Sequence, residues 1–200
     1  MFGENKNITF IAIMERTNFD NTFYTGRLNP ENKIDQSMWN FVKKIVERIS
    51  INDSVIKIDL IKKDDRIEII ELDFGIGGDY FETFISPLCY QYNFIDNYIN
   101  LMLGLQVWDE YKIDDDLCFD YVYNLNREKV ITVNYGIIRS ICDNNFQSFK
   151  LINIKEEGDK VHYPKSNMDA LFAIVHNRKD LLNRGVSLLF NEALSNEVLR

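Results

Sequence analysis

Two neighbouring runs of alternating apolar and charged residues constrain the fold of this chain most strongly. The runs are VIKIDLI (Val55–Ile61) and IEIIELD (Ile67–Asp73), and the charged segment KKDDR separates them. β-Branched residues at every second position are typical of strands, because successive side chains point to opposite faces of a sheet. Two such runs with a short polar connection predict an antiparallel hairpin.

The alternation also predicts what each face of the hairpin carries. One face collects only apolar residues, and we expect it to lie against the core. If odd positions pair with odd positions, the other face gathers three carboxylates and one lysine on only two strands. Like charges that face each other across strands are destabilising, whereas Mg²⁺ binds carboxylate oxygens and would remove the repulsion. The apolar set is Ile56, Ile58, Leu60, Ile70 and Leu72, and the charged set is Lys57, Asp59, Glu71 and Asp73.

An ordinary solvated surface explains the same pattern. Acidic residues are common on exposed sheet faces, and Lys57 could neutralise one of its neighbours. The segment GIGGD at 75–79 suits a plain turn as well as a phosphate-binding loop, because Gly-x-Gly-Gly is a weak motif. The residues alone therefore leave both metal binding and a solvated face open.

The remaining segments predict an α+β fold, with a mainly antiparallel sheet and packed helices. Short β-branched and aromatic runs predict the strands, and apolar residues at helical spacing predict the helices. A long polar loop is expected between the first strand and the first helix. The expected helices begin at Asp35 or Ser37, run from Phe94 to Gly104, and run from about Arg178 to Leu194; the expected strands are Ile8–Met14, LCFDYVYNL, KVITVNYGIIRSI, SFKLINI and ALFAIVH.

Composition argues against several classes of function. The 23 basic and 31 acidic residues give a net charge of −8, and no basic block could track a nucleic acid backbone. No apolar run approaches the roughly 18 residues that a membrane span needs, and a signal peptide is not evident. We expect a cytoplasmic protein with no nucleic acid or membrane partner. No metal-ligand spacing links the cysteines and histidines. We expect Cys89, Cys118 and Cys142 to be reduced core or near-surface thiols. We expect His162 and His176 each to be structural or exposed.

Several segments follow one another in a familiar order. ITFIAIMERT comes first, FYTGRLNP follows it, and the hairpin, FIDNYINLMLG and the tail ALFAIVHNRKDLLNRGVSLLFNEAL come after them. This series resembles the C-terminal lobe of the ATP-grasp superfamily, in its amino-acid ligase and carbamoyl-phosphate-synthetase-like branch. FYTGRLNP is similar to that family's Thr-Gly-His-x-x-Pro loop, and the hairpin is similar to its metal-binding hairpin. The resemblance implies one partial ATP-grasp unit, with a metal- and ATP-binding portion at 1–104 and a strand-rich extension at 105–200.

The resemblance implies a ligand set and a reaction. Asp59, Glu71 and Asp73 match the family's acidic metal ligands, which would hold one or two Mg²⁺ or Mn²⁺ ions on the phosphates of ATP. The implied reaction is attack of a small-molecule carboxylate on the γ-phosphate, which gives an acyl phosphate that an amine converts to an amide. The acceptor-substrate edge would be shaped by Gly77, Gly78 and Asp79.

The chain departs from the family pattern at four positions. Asp73 replaces an asparagine, which keeps an oxygen ligand and adds a negative charge. Gly75 stands where the family often has an arginine near the phosphoryl group. Arg27 stands at the usual histidine of the loop, and Lys57 stands where related ligases often have a second histidine. Either cation could serve as the catalytic group in place of the missing arginine.

The resemblance also implies a preceding nucleotide-binding lobe, whose lysines grip the ATP phosphates. Only a few residues precede the first strand, so we expect a separate N-terminal ATP-grasp chain to complete the site, and this chain alone to be inactive. Two other hypotheses stay open. One is a truncated or degenerate ATP-grasp-like module that binds or assembles without catalysis, and the other is a structural domain with no metal affinity.

Overall fold

A computed structural model describes residues 12–16, 28–30, 36–49, 53–64, 66–77, 80–114, 116–165, 169–178, 180–181 and 185–197. The chain divides into two compact units. One unit combines Met1–Ile13 with Glu31–Asp114, and the other combines Met14–Pro30 with Asp115–Arg200. The division expected from the sequence, at residue 104, stays a prediction.

The first unit contains both helices that were expected before residue 105. Asn93 caps the second of them by accepting a hydrogen bond from the Asp96 N–H, and Gly104 follows its end with φ 66°. A left-handed residue of this kind is a common helix stop, and glycine adopts it without strain. The elements in order are α1 (Gln36–Arg48), β3 (Ile56–Lys63), β4 (Arg66–Phe74), a π-helical turn (Phe81–Ile85), α2 (Ser86–Cys89) and α3 (Phe94–Met102).

Strands β3 and β4 form the predicted antiparallel hairpin. Pairing runs from Ile56 opposite Phe74 to Asp59 opposite Glu71, and a β-bulge then shifts the register so that Leu60 pairs with Ile69. The expectation of a continuous apolar face against the core is wrong. The bulge leaves Ile70 without a partner position, 53% exposed. The other four members, Ile56, Ile58, Leu60 and Leu72, are only half-buried, because the hairpin is a separate two-stranded sheet.

The core of the first unit lies among the elements that follow the hairpin. The π-helical turn begins after Tyr80, whose left-handed backbone (φ 57°) redirects the chain. Aromatic rings then pack edge to face, with Phe81 and Phe94 at 6.0 Å between centroids. This geometry favours contact between the positive ring edge and the negative ring face. The fully or almost fully buried members are Ile85, Cys89, Tyr90, Tyr92 and Phe94.

The second unit is built on a five-stranded antiparallel sheet. Its strands lie in the order β1 (Met14–Arg16), β2 (Leu28–Pro30), β5 (Cys118–Val122), β9 (Phe172–His176) and β7 (Phe149–Asn153). Every residue of the inner strands β5 and β9 is buried. The expected strands in LCFDYVYNL, SFKLINI and ALFAIVH are confirmed. Residues 8–11 of the first expected strand lie outside the described residues.

Three sequence interpretations in this unit are wrong. The segment KVITVNYGIIRSI was expected to be one strand, but it forms the short strand β6 (Ile131–Thr132) and the helix α4 (Tyr135–Asn145). The Asn134 side chain caps α4 by accepting the Ile137 N–H at 3.0 Å, which the β-branched composition concealed. Strand β2 lies within the segment that was expected to be a loop. Pairing with β5 holds this segment in an extended conformation. The last helix, α5 (Gly185–Glu197), begins later than the expected start at Arg178. Strand β6 pairs with a further short strand, β8 (Lys160–Val161).

Helix α5 is fastened to the chain after β5 by buried polar side chains. Ser187 Oγ accepts the Tyr123 N–H at 3.2 Å, and Asn191 Oδ1 accepts the Leu125 N–H at 2.9 Å. The Asn191 amide also donates to the Tyr123 carbonyl at 2.7 Å. These bonds satisfy backbone groups that the sheet leaves free, and they explain why polar residues on α5 are buried.

The three cysteines are free and buried, as expected for reduced core thiols. Burial, followed by the charge of Asp143, raises the pKa of the Cys142 thiol to about 12. A thiol with so high a pKa carries little thiolate at neutral pH, and thiolate is the reactive form. The cysteines in this structure are packing residues. No helix in the described part of the chain combines the length and apolar character that crossing a membrane requires.

Candidate functional site

The charged residues of the hairpin come together as the sequence predicted. Lys57 pairs directly with Asp73, and Asp59 pairs directly with Glu71. Residues two apart on a strand point to the same side, so these four side chains share one face of the two strands. Directly opposite Cβ atoms lie about 4.5–5.5 Å apart in such a pair. We call Lys57, Asp59, Glu71 and Asp73 the charged face of the hairpin.

Repulsion and proton sharing dominate the electrostatics of the charged face. The pKa of Glu71 is raised above its ordinary value by a hydrogen bond with the carboxyl group of Asp73, and further by the charge of Asp73. The Lys57 ammonium opposes this effect and lowers the pKa, while the charge of Asp59 makes the smallest contribution that raises it. Lys57 Nζ lies 3.8 Å from Asp59 Oδ2, and both side chains are partly shielded from solvent. One cation therefore faces three carboxylates.

The donor atoms of the charged face suit a divalent cation, although they do not form a complete coordination site. All three donors are carboxylates, the oxygen ligands that Mg²⁺ prefers. The hydrogen bond with Asp73 and then the charge of Asp73 raise the Glu71 pKa, and a bound cation would offset that charge. Within the described ranges, however, no three His, Cys, Asp or Glu side chains lie close enough together to hold a metal ion. Binding would require the carboxylates to converge.

The glycine segment after the hairpin is fixed at two points. The Gly75 N–H donates to the Val55 carbonyl at 3.0 Å, and the Gly75 φ of 116° is unfavourable for any residue with a side chain. The Gly77 N–H donates to Glu82 Oε1 at 2.5 Å. A Cβ atom at Gly77 would lie 3.2 Å from that oxygen and 3.5 Å from Lys57 Cδ. Gly77 therefore lies beside the lysine of the charged face.

Sequence reasoning missed Glu82. Its carboxylate comes from the π-helical turn and is 7% exposed, although it carries a formal charge and lies in the apolar context FETFI. A glutamate within an apolar run could have indicated a buried carboxylate that accepts a hydrogen bond, since buried polar groups are nearly always hydrogen-bonded. The contact with Gly77 was not predictable, because it joins two residues five apart that share no helix or strand.

Three predicted site residues lie outside the described part of the chain. They are Arg27, which the resemblance placed at a catalytic position, and Gly78 and Asp79 of the expected substrate edge. The described members of the predicted site are Lys57, Asp59, Glu71, Asp73 and Gly77. All five lie on the hairpin or in the segment that leaves it.

His176 has a structural role, as predicted. Its Nε2 lies 2.7 Å from Asp120 Oδ2, and both side chains are almost completely buried between the central strands. The Arg178 N–H donates to His176 Nδ1 at 3.0 Å, so Nδ1 carries no proton and Nε2–H donates to Asp120. The second histidine, His162, is exposed. The buried pair belongs to the core of the second unit.

The raised pKa of Glu71 predicts a pH effect on stability. A carboxyl group with a raised folded-state pKa contributes stability that is fully present below its unfolded pKa and is lost as pH rises through the folded value. Glu71→Gln imitates the protonated form. We expect the variant to match the wild-type melting temperature in acid and to exceed it slightly at neutral pH. A thermal melt of both proteins across this pH range would contradict the prediction if the variant were less stable at neutral pH.

Comparison with known proteins defines the fold. The chain is similar to the crystal structure of phosphoribosylglycinamide synthetase from Anaerococcus prevotii, with a TM-score of 0.56 and 14% sequence identity. The match covers 83% of this chain and 44% of that chain, so this chain spans less than half the length of its structural neighbour. No protein-family model matches the chain, and no curated protein sequence matches it. The chain has an ATP-grasp-like α+β fold.

Proposed function

We propose that this chain is the C-terminal portion of an ATP-dependent carboxylate–amine ligase, and that its charged face binds Mg-ATP. The observation that carries the proposal is the direct pairing of Asp59 with Glu71, beside Asp73, within an ATP-grasp-like fold. The three carboxylates repel one another, which destabilises the hairpin, and a ligand that brings a cation would remove this repulsion. A metal-bound triphosphate is such a ligand, because its cation neutralises the carboxylates.

Asp59, Glu71 and Asp73 would hold the cation through their carboxylate oxygens. Bound Mg²⁺, or Mn²⁺ in its place, would neutralise charge on the transferred phosphoryl group and orient it. Phosphoryl transfer depends mainly on positioning and electrostatic stabilisation, and a hairpin supplies a stiffer support for its side chains than a loop does. In this proposal the hairpin orients the side chains of the site, and the carboxylates supply its negative charge.

The reaction proposed for the complete enzyme has two steps. A small-molecule carboxylate attacks the γ-phosphorus of ATP, the bond to the β–γ bridging oxygen breaks, and ADP leaves. An amine then attacks the acyl phosphate, inorganic phosphate leaves, and an amide forms. Lys57 and Arg27 are the proposed cations for phosphoryl or substrate oxygens, since arginine and lysine stabilise such charge. The proposed acceptor-substrate edge consists of Gly77, Gly78 and Asp79.

A nucleotide-binding lobe is the proposed partner. More than half of the structural neighbour has no counterpart in the matched region of this chain. An ATP site needs groups for the adenine and for the outer phosphate oxygens, and the charged face supplies only acidic groups and Lys57. We therefore propose a separate chain that carries an N-terminal ATP-grasp portion with phosphate-binding lysines.

The reaction is tested by combining this chain with a candidate partner encoded beside it. Mg-ATP is titrated by calorimetry into the chain alone and into the mixture, and ADP formation is then measured with a mixture of the twenty amino acids as carboxylates and amines. We expect the partner to tighten Mg-ATP binding and amino acids to stimulate ADP release. Absence of Mg-ATP binding in both titrations would contradict the proposal.

A non-catalytic ATP-grasp-like module is the second candidate. Gly75 favours it, because the related ligases often carry an arginine there, and the φ of 116° would strain any residue with a side chain. The backbone of this chain is therefore poorly suited to that arginine. Mg-ATP binding without ADP formation, under the conditions of the previous experiment, would support the module and exclude ligase activity on amino acids.

A further inference from the structure

We propose that His176 is a pH-sensitive switch, which links the end of strand β9 to the end of helix α4 while its ring is neutral and releases this link when the ring gains a proton. The inference goes beyond the proposed ATP-grasp activity, because it concerns the core of the second unit and involves no ligand. It gives this buried histidine a conformational role besides its structural one. We call His176, Asp120 and Arg178 the histidine switch.

Both ring nitrogens of His176 take part in hydrogen bonds. Nε2–H donates to Asp120 Oδ2 at 2.7 Å, and Nδ1 accepts the Arg178 N–H at 3.0 Å. A neutral imidazole has one donor and one acceptor, whereas the protonated ring has two donors. A proton on Nδ1 would therefore face the N–H of Arg178 with no acceptor between them. The protonated ring and the hydrogen bond from Arg178 exclude each other.

The surroundings of the buried ring direct the effect of protonation to Arg178. Among the described residues, β5 presents two ionisable side chains to His176, the carboxylate of Asp120 and, directly paired in register, the thiol of Cys118. Strand β7 and the residue after α4 present the aromatic rings of Phe149 and Phe146. Asp120 accepts the Nε2–H in both forms of the ring, so the hydrogen bond that changes is the one from Arg178.

Arg178 connects β9 to the end of α4. Its Nη1 donates to the carbonyl of Asn145, the last residue of α4, at 3.0 Å. The last carbonyls of a helix have no partner within the helix, so the guanidinium satisfies one of them. The same guanidinium pairs with the Asp180 carboxylate at the surface. Loss of the bond between His176 and the Arg178 N–H would loosen this junction, while β9 stays paired with β5 and β7.

The direction of the switch follows from where the proton can bind. Nδ1 takes up a proton only in an open form, in which the Arg178 N–H has moved away from His176. A form that binds more protons gains population as pH falls, so the link is closed at high pH and opens in acid. One proton separates the two forms. We therefore expect the open population to rise about tenfold for each pH unit below about 6.5, the ordinary pKa of histidine.

Amide hydrogen exchange of the full chain, measured by NMR between about pH 5 and pH 8, tests the switch. Each exchange rate is compared with that of an unstructured peptide at the same pH, which isolates the opening of that amide. We expect the protection of the Arg178 amide to fall about tenfold per pH unit below about pH 6.5, and the protection of Ala173 and Ile174 on β9 to stay constant. His162→Asn is the matched control, because it removes an exposed histidine and should keep the wild-type profile.

Two further measurements keep the test decisive. His176→Asn offers an amide oxygen near the place of Nδ1 and cannot take up a proton, so its Arg178 protection should not change with pH. If this variant folds poorly, the ring ¹⁵N shifts of wild-type His176 decide. We expect Nδ1 to be unprotonated at neutral pH and to gain its proton in the pH range where the Arg178 amide loses protection.

Three results would overturn the switch. The first is constant protection of the Arg178 amide in the wild type across the pH range. The second is a loss of that protection while Nδ1 of His176 stays unprotonated. The third is an unchanged pH profile in folded His176→Asn, because the proton would then act on another group, such as Asp120.

Discussion

Replacing Asp120 with alanine is expected to lower the free energy of unfolding by about 1–3 kcal/mol, because it leaves the buried Nε2–H of His176 without its hydrogen-bond acceptor. Asp120 and His176 lie on the two central strands of the five-stranded sheet, with side-chain exposures of 2% and 0%. Without the carboxylate, the Nε2–H of His176 loses its acceptor at 2.7 Å. The backbone N–H of Arg178 already donates to Nδ1, so the ring proton cannot move from Nε2 to Nδ1.

Urea unfolding of the purified chain measures this loss. Asp180→Ala is the matched control, because Asp180 pairs with Arg178 at the surface, with a side-chain exposure of 63%. Exposed ion pairs contribute only about 0–1 kcal/mol, so this control should change stability little. Asp120→Asn retains an acceptor oxygen and should lose less stability than Asp120→Ala. Equal effects of Asp120→Ala and Asp180→Ala would contradict the buried pair.

The largest expected effect on binding comes from the double variant Asp59→Asn with Glu71→Gln. It keeps the size of both side chains and removes two negative charges from directly paired positions. Charge supplies most of the attraction between carboxylates and a hard cation, so we expect Mn²⁺ affinity to fall by roughly a hundredfold or more.

The control for this variant keeps the same change in net charge elsewhere on the hairpin. Asp64→Asn with Glu68→Gln removes two charges from the turn end, where Glu68 pairs with Ile61 rather than with an acidic residue. We expect this control to bind Mn²⁺ almost as the wild type does. Similar losses in the two double variants would show that the affinity follows net charge and that the charged face has no special role.

The sequence predicted the hairpin well, because apolar and charged residues alternate along most of each strand and the polar connection is short. The pairing of odd positions with odd positions holds from Lys57 to Asp59. The bulge after Asp59 coincides with a break in the alternation, because Leu60 and Ile61 are adjacent in one strand and Ile69 and Ile70 are adjacent in the other. Its consequence, an exposed Ile70, depends on the register alone. The acidic part of the candidate site was therefore predictable, whereas the burial of the opposite face was not.

Other parts of the fold depend on contacts that a linear pattern conceals. The β-branched run before Asn134 suggested a strand that continues past this residue. Instead, the Asn134 side chain caps a helix, and the residues after it are helical. Glu82 gave no periodic signal, because it lies in a single π-helical turn. Its carboxylate accepts a hydrogen bond from the N–H of Gly77, five residues earlier in the chain. Strand β2 likewise needs the distant β5 as its partner.

The measurement that tests the central claim most directly is paramagnetic broadening of backbone amide signals by substoichiometric Mn²⁺-ATP. The claim is that the charged face, and not the acidic surface in general, binds the metal-nucleotide complex. We predict that amide signals of residues 57–59 and 71–73 broaden first, while those of Lys63, Arg66 and the central strands β5 and β9 stay sharp. Broadening spread evenly over acidic surface residues, or sharp signals throughout the hairpin, would contradict the claim.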